Sequence, residues 1–419
     1  MFSWKLRGFP YHPFHEYVDE NRNEFIFLNH KLNPKMSRKL RMGMIGGGRG
    51  AFIGGIHRMA VGIDGQIELV CGALHVDPEI AVLSGQDLYL NPERIYKTYH
   101  EMFEKESRLP ADQRMDFVSI VTPNHVHFEP AKLALEHGFH VVCEKPLSFS
   151  LDEAIQLQKL VGETGLTFAL THTYTGYPMV KQAREMCISG TFGKIRKVVV
   201  EYPQGWLSTP LEQTGQQQAS WRTDPKRSGK AGSVGDIGTH AENLAETITG
   251  LKITELSADV TTFVENRLLD DDANVLLRFD NGAKGVLHCS QISAGEENAI
   301  NIRVYGEKGS LQWHQHDPNT MYVKWLEKPM EVYRTGAGYM GAIAGAHTRT
   351  PAGHPEGYLE AFANIYQNFT KTVQAKLNGV EVDPVFSDFP TVEDGVRGMQ
   401  FIDAVIDSGQ NNAAWTKMG

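Results

Sequence analysis

Three side chains could transfer a proton and stabilise a developing charge during catalysis: Lys145, Asp236 and His240. Asp236 and His240 are four residues apart, so a helix would place them on one face, just after the glycine-rich residues 228–235. Histidine accepts protons near neutral pH, and a lysine ammonium stabilises negative charge that develops on an oxygen. Taken alone, these residues also fit ordinary structural roles: a helix N-cap, a helix-face histidine and a solvated loop lysine.

A glycine loop lies near the start of the chain. Gly46-Gly47-Gly48-Arg49-Gly50-Ala51-Phe52 follows a predicted strand and opens a predicted helix. In the pattern G-x-G-x-x-A, Gly46 makes the tight turn, Gly48 lets the backbone approach a pyrophosphate, and Ala51 allows close helix–strand packing. The first helical turn, from Phe52, would offer its free N–H groups to the phosphates. This context predicts a dinucleotide-binding site.

The choice between NAD and NADP depends on the residues after the second strand. An acidic residue there would bind the adenosine ribose of NAD, and a cation would bind the 2′-phosphate of NADP. The strand leads into His75-Val76-Asp77, where Asp77 comes late and is placed to cap a helix that begins at Pro78. Arg49 and His75 are the groups that could meet a 2′-phosphate. The sequence therefore favours NAD and leaves NADP open.

Short apolar strands alternate with helices up to about residue 171, which predicts a parallel, doubly wound α/β sheet. These strands are predicted at residues 40–45, 67–74, 117–121, 139–143 and 167–170. Beyond about residue 176 the strands are joined by hairpins, with turns at Asp280-Asn281-Gly282 and Glu307-Lys308-Gly309. These strands are predicted at residues 253–264, 273–279, 283–290, 299–305 and 310–314. They indicate an α+β domain with a large, mostly antiparallel open sheet.

Two further segments complete a family pattern. Val121-Thr122-Pro123-Asn124-His125-Val126-His127 and Val142-Cys143-Glu144-Lys145-Pro146-Leu147, with the glycine loop, resemble the Gfo/Idh/MocA oxidoreductase family. The resemblance covers nearly everything after Met36, and Glu-Lys-Pro is its most specific mark. It implies a Rossmann domain at residues 37–173 and a substrate-binding and oligomerisation domain at 174–419, after an N-terminal extension at 1–36.

Members of this family oxidise sugars, cyclitols and related polyols, usually as homodimers or homotetramers. Residues 171–178 and 353–358 resemble a branch that acts on sugars or anhydrosugars, in some members at the C3 hydroxyl. The chain departs from the family pattern in its extension and in lacking an acidic residue directly after the second strand.

The resemblance assigns roles to individual residues. Asn124 and Glu144 are expected to hold the nicotinamide ribose. Other residues expected around the cofactor are Thr122, Pro123, His127, Trp221 and Arg222, the last two in a segment that closes over the nicotinamide. Tyr174, Trp206 and Tyr358 are further candidates, because aromatic faces with polar tips suit carbohydrate surfaces, and His354 is another; core packing or a dimer contact is the alternative for each of them.

The implied reaction is hydride transfer between nicotinamide and a secondary hydroxyl. His240 is expected to be the general base on that hydroxyl, and Lys145 to hydrogen-bond the same oxygen. Asp236 is expected to orient the substrate through a neighbouring hydroxyl and to tune His240. Two alternatives stay open: cleavage of a glycoside through a transient 3-keto intermediate with recycled NAD, and a sensor of sugar or dinucleotide without catalysis.

The composition argues against several classes of binding partner. The net charge of −9, without a dense basic run, argues against nucleic acid and anionic membrane surfaces. The four cysteines are far apart, which favours buried thiols in a reducing cytoplasm, and no stretch approaches transmembrane length. The pairs His125/His127 and His314/His316 lack cysteine or carboxylate partners at ligand spacing, so no metal is expected.

Overall fold

Five parallel strands form the first sheet, in the order β2-β1-β3-β4-β5. They are β1 (Leu40–Gly46), β2 (Ile67–Ala73), β3 (Phe117–Val121), β4 (His140–Cys143) and β5 (Phe168–Leu170). The computed structural model describes residues 38–419, so the predicted extension at 1–36 lies outside the described residues. The strands fall where the sequence predicts them, and their parallel pairing confirms the doubly wound fold.

Helices connect these strands. They are α1 (Phe52–Ile63), α2 (Pro78–Asp87), α3 (Tyr99–Arg108), α4 (Phe128–Glu136) and α5 (Leu151–Thr164). Phe103 of α3, Ala131 of α4 and Leu157 of α5 belong to one buried cluster with Ile120 of the sheet. The sequence did not predict α3, because most of its ten residues are polar and only a narrow stripe is buried.

Nine strands form the second sheet, in the order β13-β12-β11-β10-β6-β9-β8-β7-β14. They are β6 (Ile195–Pro203), β7 (Ile253–Thr261), β8 (Asp272–Phe279), β9 (Lys284–Ser290), β10 (Asn301–Gly306), β11 (Gly309–His314), β12 (Thr320–Trp325), β13 (Glu331–Arg334) and β14 (Thr416–Lys417). Only β6 and β9 pair in parallel among these described strands, which confirms the mostly antiparallel sheet. Gly282, with φ of +87°, makes the predicted turn between β8 and β9. The sequence missed β6, β12, β13 and β14, which are short or carry charged residues on one face.

Within the described residues, the chain after residue 173 also contributes seven α-helices. They are α6 (Pro178–Ile188), α7 (Gln217–Arg222), α8 (Pro225–Ser228), α9 (Thr239–Thr249), α10 (Ala342–Ala346), α11 (Tyr358–Asn378) and α12 (Val392–Gln410). Buried residues of α6, α9 and α12 share one apolar cluster with inward-facing residues of the second sheet.

Helix α11 returns to the first sheet. Phe362 and Phe369 join a buried cluster with Leu40, Met42 and Phe117, and the rings of Phe117 and Phe369 are 4.9 Å apart. A parallel sheet needs both faces covered, and α11 lies beside α1 on one of them. A division near residue 173 therefore separates the two sheets but not their helices.

Candidate active site

The glycine loop lies at the carboxyl end of β1. Gly46 has φ of +78°, and a Cβ there would lie 3.1 Å from the carbonyl oxygen of Val121. A Cβ on Gly48 would lie 2.6 Å from Ser84 Oγ, although φ of Gly48 is not in the left-handed region. Both positions therefore favour glycine, one for its conformation and the other for close packing.

Helix α1 packs closest on the glycine loop at Gly54, one turn after Ala51, where the sequence predicts that contact. A Cβ on Gly54 would lie 2.3 Å from the Cα of Gly47, whereas Ala51 stands before the helix as its N-cap residue. No side chain caps the first N–H groups of α1, which begins at Phe52. Thr122 Oγ1 is buried without a hydrogen-bond partner among residues 38–419. Free helical N–H groups and an unpartnered hydroxyl suit a phosphate-bearing dinucleotide.

The residues that follow β2 hydrogen-bond to one another. Asp77 caps α2 by accepting hydrogen bonds from the Glu79 and Ile80 N–H groups, and His75 Nδ1 accepts from the Asp77 N–H at 2.9 Å. Arg49 donates to both carboxylate oxygens of Asp87, at 2.6 and 2.8 Å. The Arg49 guanidinium, which could have bound a 2′-phosphate, is therefore already paired with Asp87.

A cavity of about 340 Å³ lies at the carboxyl ends of β3 and β4. The predicted site residues that line it are Phe52, Thr122, Asn124, Glu144, Lys145, Tyr174, Trp221, Arg222, Asp236 and His240. Tyr358, a lesser candidate from the sequence, lines it too. Residues that line it without having been assigned to the site from the sequence are Ile53, Thr171, Thr173, Tyr202, Gln204, Ile237, Asn298 and Gln315. Cofactor-side and substrate-side candidates thus share one space.

Asp236 holds two cations at the centre of this cavity. Lys145 Nζ donates to Asp236 Oδ1 at 2.9 Å and to the Asp236 carbonyl oxygen at 2.6 Å. Gln291 Nε2 donates to Oδ2 at 2.8 Å, and Arg222 Nε lies 3.3 Å from the same oxygen. Burial opposes ionisation, but Lys145 and Arg222 hold the pKa of Asp236 well below its usual value. The carboxylate is therefore charged, and it holds both cations while keeping lone pairs for a further hydrogen bond.

The backbone around Asp236 differs from a regular helix. Residues Val234–Gly238 form one π-helical turn that continues into α9, and Asp236 and His240 both reach the cavity. Before this turn, Gly232 packs closely on Asp270, which accounts for one of the glycines that the sequence suggested would approach a ligand. A Cβ on Gly232 would lie 2.2 Å from the Asp270 carbonyl oxygen, and the Asp270 carboxylate accepts the N–H groups of Gly232 and Val234.

His240 makes its polar contact with another histidine. Its Nδ1 lies 3.4 Å from Nδ1 of His172, and the ring of Tyr174 packs on it with centroids 4.9 Å apart. Burial, Lys145 and His172 together lower the pKa of His240 well below its ordinary value, against a smaller opposite effect of Asp236. The imidazole is therefore neutral at neutral pH and able to accept a proton. Its pKa is lower than the near-neutral value expected from the sequence, because burial beside a lysine disfavours the imidazolium.

Glu144 is supported by a buried polar layer. His57 Nε2 lies 2.9 Å from Glu144 Oε1, and Thr171 Oγ1 donates to the same oxygen at 2.7 Å. Burial opposes ionisation of Glu144, but the hydrogen bond from His57, the charge of Lys145 and the hydrogen bond from Thr171 hold its pKa below the usual value. Asn124, also expected on the ribose, donates Nδ2 to the Ser228 carbonyl oxygen at 3.0 Å.

Neutral polar groups form one wall of the cavity. Tyr202 OH and Gln204 Nε2 each donate to Asn298 Oδ1 at 2.7 Å, and Asn298 Nδ2 donates to Tyr174 OH at 2.9 Å. Trp206 stands behind this wall, with its Nε1 donating to Gln204 Oε1 at 3.0 Å. Trp206 is therefore one residue removed from the cavity lining that the sequence expected it to join.

The predicted residues Pro123 and His127 lie beside the cavity without lining it. The His127 ring is buried, with its nitrogens 2.7 Å from the Pro146 carbonyl oxygen and 2.9 Å from that of Thr122. It braces the two loops that carry Asn124 and Lys145. Sequence spacing could not reveal Tyr202, Gln204, Asn298 and Gln315, because they come from separate strand ends of the second sheet.

Residues 38–419 offer neither a cluster of metal ligands nor a membrane-spanning helix. No group of three or more histidine, cysteine, aspartate or glutamate side chains there is arranged to hold a metal ion. No helix in the same part of the chain is long and apolar enough to cross a bilayer. The four cysteines are buried free thiols.

Family comparisons agree with this geometry. Residues 40–172 match the profile described as an oxidoreductase family with an NAD-binding Rossmann fold, and residues 180–312 match the GFO/IDH/MocA C-terminal domain. The chain belongs to the Gfo/Idh/MocA family. It is accordingly an NAD-binding oxidoreductase, and the glycine loop, the uncapped helix α1 and Thr122 fit that cofactor.

Individual relatives cover most of the chain. An uncharacterized oxidoreductase of Bacillus subtilis (strain 168) is 33% identical over 91% of this chain and 98% of its own length. The crystal structure of an inositol dehydrogenase homolog from Azotobacter vinelandii, complexed with NADH and myo-inositol, is 34% identical with a TM-score of 0.84, over 91% of this chain and 98% of that one. A levoglucosan dehydrogenase of Pseudarthrobacter phenanthrenivorans is 27% identical over 65% of this chain and 73% of its own. The family acts on sugars and cyclitols, and the names of the last two relatives agree with that substrate range.

Proposed function

We propose that this chain oxidises a secondary hydroxyl of an uncharged sugar, anhydrosugar or cyclitol by transferring hydride to NAD⁺. The observation that carries the proposal is the meeting of Lys145, Asp236 and His240 in one cavity, between the cofactor-side residues and a wall of neutral hydrogen-bonding groups. Bound NAD⁺ supplies the hydride acceptor.

The side chains supply positioning and proton transfer. His240 is neutral and takes the hydroxyl proton as the carbonyl forms. Lys145 donates a hydrogen bond to the same oxygen, where negative charge develops. Asp236 holds the Lys145 ammonium in place and accepts a hydrogen bond from a neighbouring hydroxyl of the substrate.

The charges of the lining favour an uncharged substrate. Its charged residues are Glu144, Lys145, Arg222 and Asp236, and both cations contact Asp236. Within the described lining no further cation remains to receive a phosphate or carboxylate. The amide and phenol groups of Tyr174, Gln204, Asn298 and their neighbours can instead exchange hydrogen bonds with several hydroxyl groups.

Assembly as a homodimer or homotetramer, and a cytoplasmic location, remain part of this proposal. The second sheet keeps apolar side chains exposed, among them Leu276, Tyr305 and Val332, and such side chains on an open sheet suit burial against a second copy.

The direct test measures NADH formation at its absorbance band with matched pairs of substrates. Glucose is compared with glucose 6-phosphate and glucuronate, and myo-inositol with an inositol phosphate. We expect the best uncharged compound to exceed its anionic partner by about 100-fold or more in kcat/KM, since an unpaired buried anion is costly. A preferred anionic substrate would contradict the charge argument. Absence of NADH with every polyol, or release of an aglycone from a glycoside without net NADH, would overturn the dehydrogenase assignment.

A further inference from the structure

A second buried histidine stands behind the proposed base. His172 directly follows Thr171, the residue that binds Glu144, and is only 2% exposed. Its backbone is fixed by its N–H, which donates to the Leu170 carbonyl oxygen at 3.1 Å, and by its carbonyl oxygen, which accepts from Thr175 Oγ1 at 2.8 Å. These hydrogen bonds fix the backbone of His172, and burial leaves its ring little room to move.

The two imidazoles face each other through the same kind of nitrogen. The Nδ1 atoms of His172 and His240 are 3.4 Å apart, and the rings are nearly perpendicular, at 85°. Burial and Lys145 lower the pKa of His172 to about 3, against Glu144, so this ring is neutral like that of His240. The other ionisable groups around the pair are Asp236, Tyr174 and Tyr202.

Two neutral imidazoles in this contact can place the hydrogen between the two Nδ1 atoms in either of two ways. A neutral imidazole has one N–H and one lone pair, so one Nδ1 must donate and the other must accept. If His172 donated, Nε2 of His240 would carry the hydrogen and could not accept a proton. If His240 donates, its Nε2 has a free lone pair and can serve as the base.

We propose that His172 is a positioning residue that accepts the Nδ1–H of His240 and thereby keeps Nε2 of His240 free to take the substrate proton. The proposal rests on the dehydrogenase function above. When Nε2 is protonated, the Nδ1–H of the resulting imidazolium remains directed at His172, so the charged ring keeps its orientation. The proton leaves the alcohol oxygen as hydride leaves the carbon for NAD⁺, which balances the step.

Two substitutions separate this role from packing. His172→Phe keeps a ring but removes the acceptor, and His172→Asn offers an amide oxygen near the position of Nδ1. We expect H172F to lower kcat about 100-fold or more at pH 7, the order attributed to a general base, while NADH affinity is unchanged. H172N should recover at least about tenfold of that loss. The deficit of H172F should shrink near pH 10, where hydroxide can remove the alcohol proton instead.

A matched control removes a buried histidine elsewhere. His347 is 1% exposed and its Nε2 lies 2.6 Å from Asn368 Oδ1, away from the cavity. H347F should lose stability without a pH-dependent loss of kcat. Equal losses in H172F and H172N at every pH, or unaltered kcat in H172F, would overturn the proposal.

A measurement on the wild-type protein tests the proposal without a substrate and without depending on whether a variant folds. Nitrogen-15 NMR of histidine-labelled protein should show His240 as the Nδ1–H tautomer and His172 as the Nε2–H tautomer. The reverse pair of tautomers would refute the inference. Failure of all polyols to reduce NAD⁺ would count against the proposed function, and the NMR result would still decide the tautomers.

Discussion

The phenol oxygen of Tyr366 on α11 lies 2.6 Å from Nδ1 of His57 on α1. An ionised carboxylate only accepts hydrogen bonds, so the His57 nitrogen facing Glu144 carries the hydrogen, and its Nδ1 accepts from Tyr366. Ser119 Oγ completes the buried layer at 2.9 Å from the Tyr366 oxygen. A helix near the end of the chain thus supports the carboxylate expected to hold the nicotinamide ribose.

Replacing Tyr366 by Phe tests this support. The variant removes one hydroxyl, leaves His57 Nδ1 without its 2.6 Å donor, and loosens Glu144. We expect the Kd for NADH, measured by fluorescence titration, to rise about tenfold, the order for one buried hydrogen bond. The Kd for ADP, which lacks the nicotinamide ribose, should stay the same. Equal weakening of both ligands would show a general structural role instead.

Replacing Lys145 by Met should abolish most of the turnover. The ammonium is the donor proposed for the reacting oxygen, and loss of such a donor costs about 100- to 1,000-fold in kcat. NADH binding should change little, because Arg222 and Gln291 still hold Asp236. Lys181 offers a matched control, since it is also buried and paired, with Asp388 at 3.0 Å. Lys181→Met should lower stability but leave kcat near normal, and equal kcat losses in both variants would contradict the assignment.

Local patterns predicted the elements that hold the cofactor. Alternation of strands and helices located all five strands of the first sheet, and the glycine motif located the loop before α1. The Glu-Lys-Pro segment likewise placed Glu144 and Lys145 at the end of β4. These features depend on residues that are close in the sequence, so a single chain shows them.

The residues on the substrate side of the cavity could not be predicted from local sequence patterns. Asn298 contacts Tyr202, and Gln315 contacts Asn298, only because strands distant in the sequence pair in one sheet. The contact between His57 and Tyr366 spans 309 positions. The pKa of His240 also escaped prediction, because burial and the nearby Lys145 are properties of the fold.

Asp87 is predicted to help the chain discriminate against NADP. Asp87→Asn would free Arg49, which now donates to both of its carboxylate oxygens. We expect kcat/KM with NADP⁺ to rise about tenfold and that with NAD⁺ to change little, as one cation becomes available to a 2′-phosphate. Glu104→Gln, which frees Arg108 from a similarly exposed pair, is the control. If the two variants have the same coenzyme ratio, Arg49 does not face the adenosine ribose.

The pH dependence of turnover follows from the neutral state of His240. An unperturbed histidine base would lose activity below about pH 6.5. Because burial and Lys145 lower the pKa of His240, log kcat/KM should stay level through that value and fall only at lower pH. In Lys145→Met the nearby cation is gone, so the acid limb should move to higher pH. A wild-type limb centred near pH 6.5 would contradict a buried neutral base, provided that samples returned to pH 7.5 recover their activity.

Stability should fall in mild acid through buried neutral histidines such as His347. Burial and Lys181 lower the pKa of His347 to about 4, against the hydrogen bonds of its ring, whereas the unfolded chain binds the proton near 6.5. Between these values the unfolded state binds more protons, so the free energy of unfolding decreases as pH falls. From pH 7 to pH 5 one such histidine contributes a loss of about 2 kcal/mol. Urea titrations of wild type and H347F should therefore show a less stable variant whose stability falls less over this range. Parallel curves would mean that His347 is already protonated, or readily hydrated, in the folded chain.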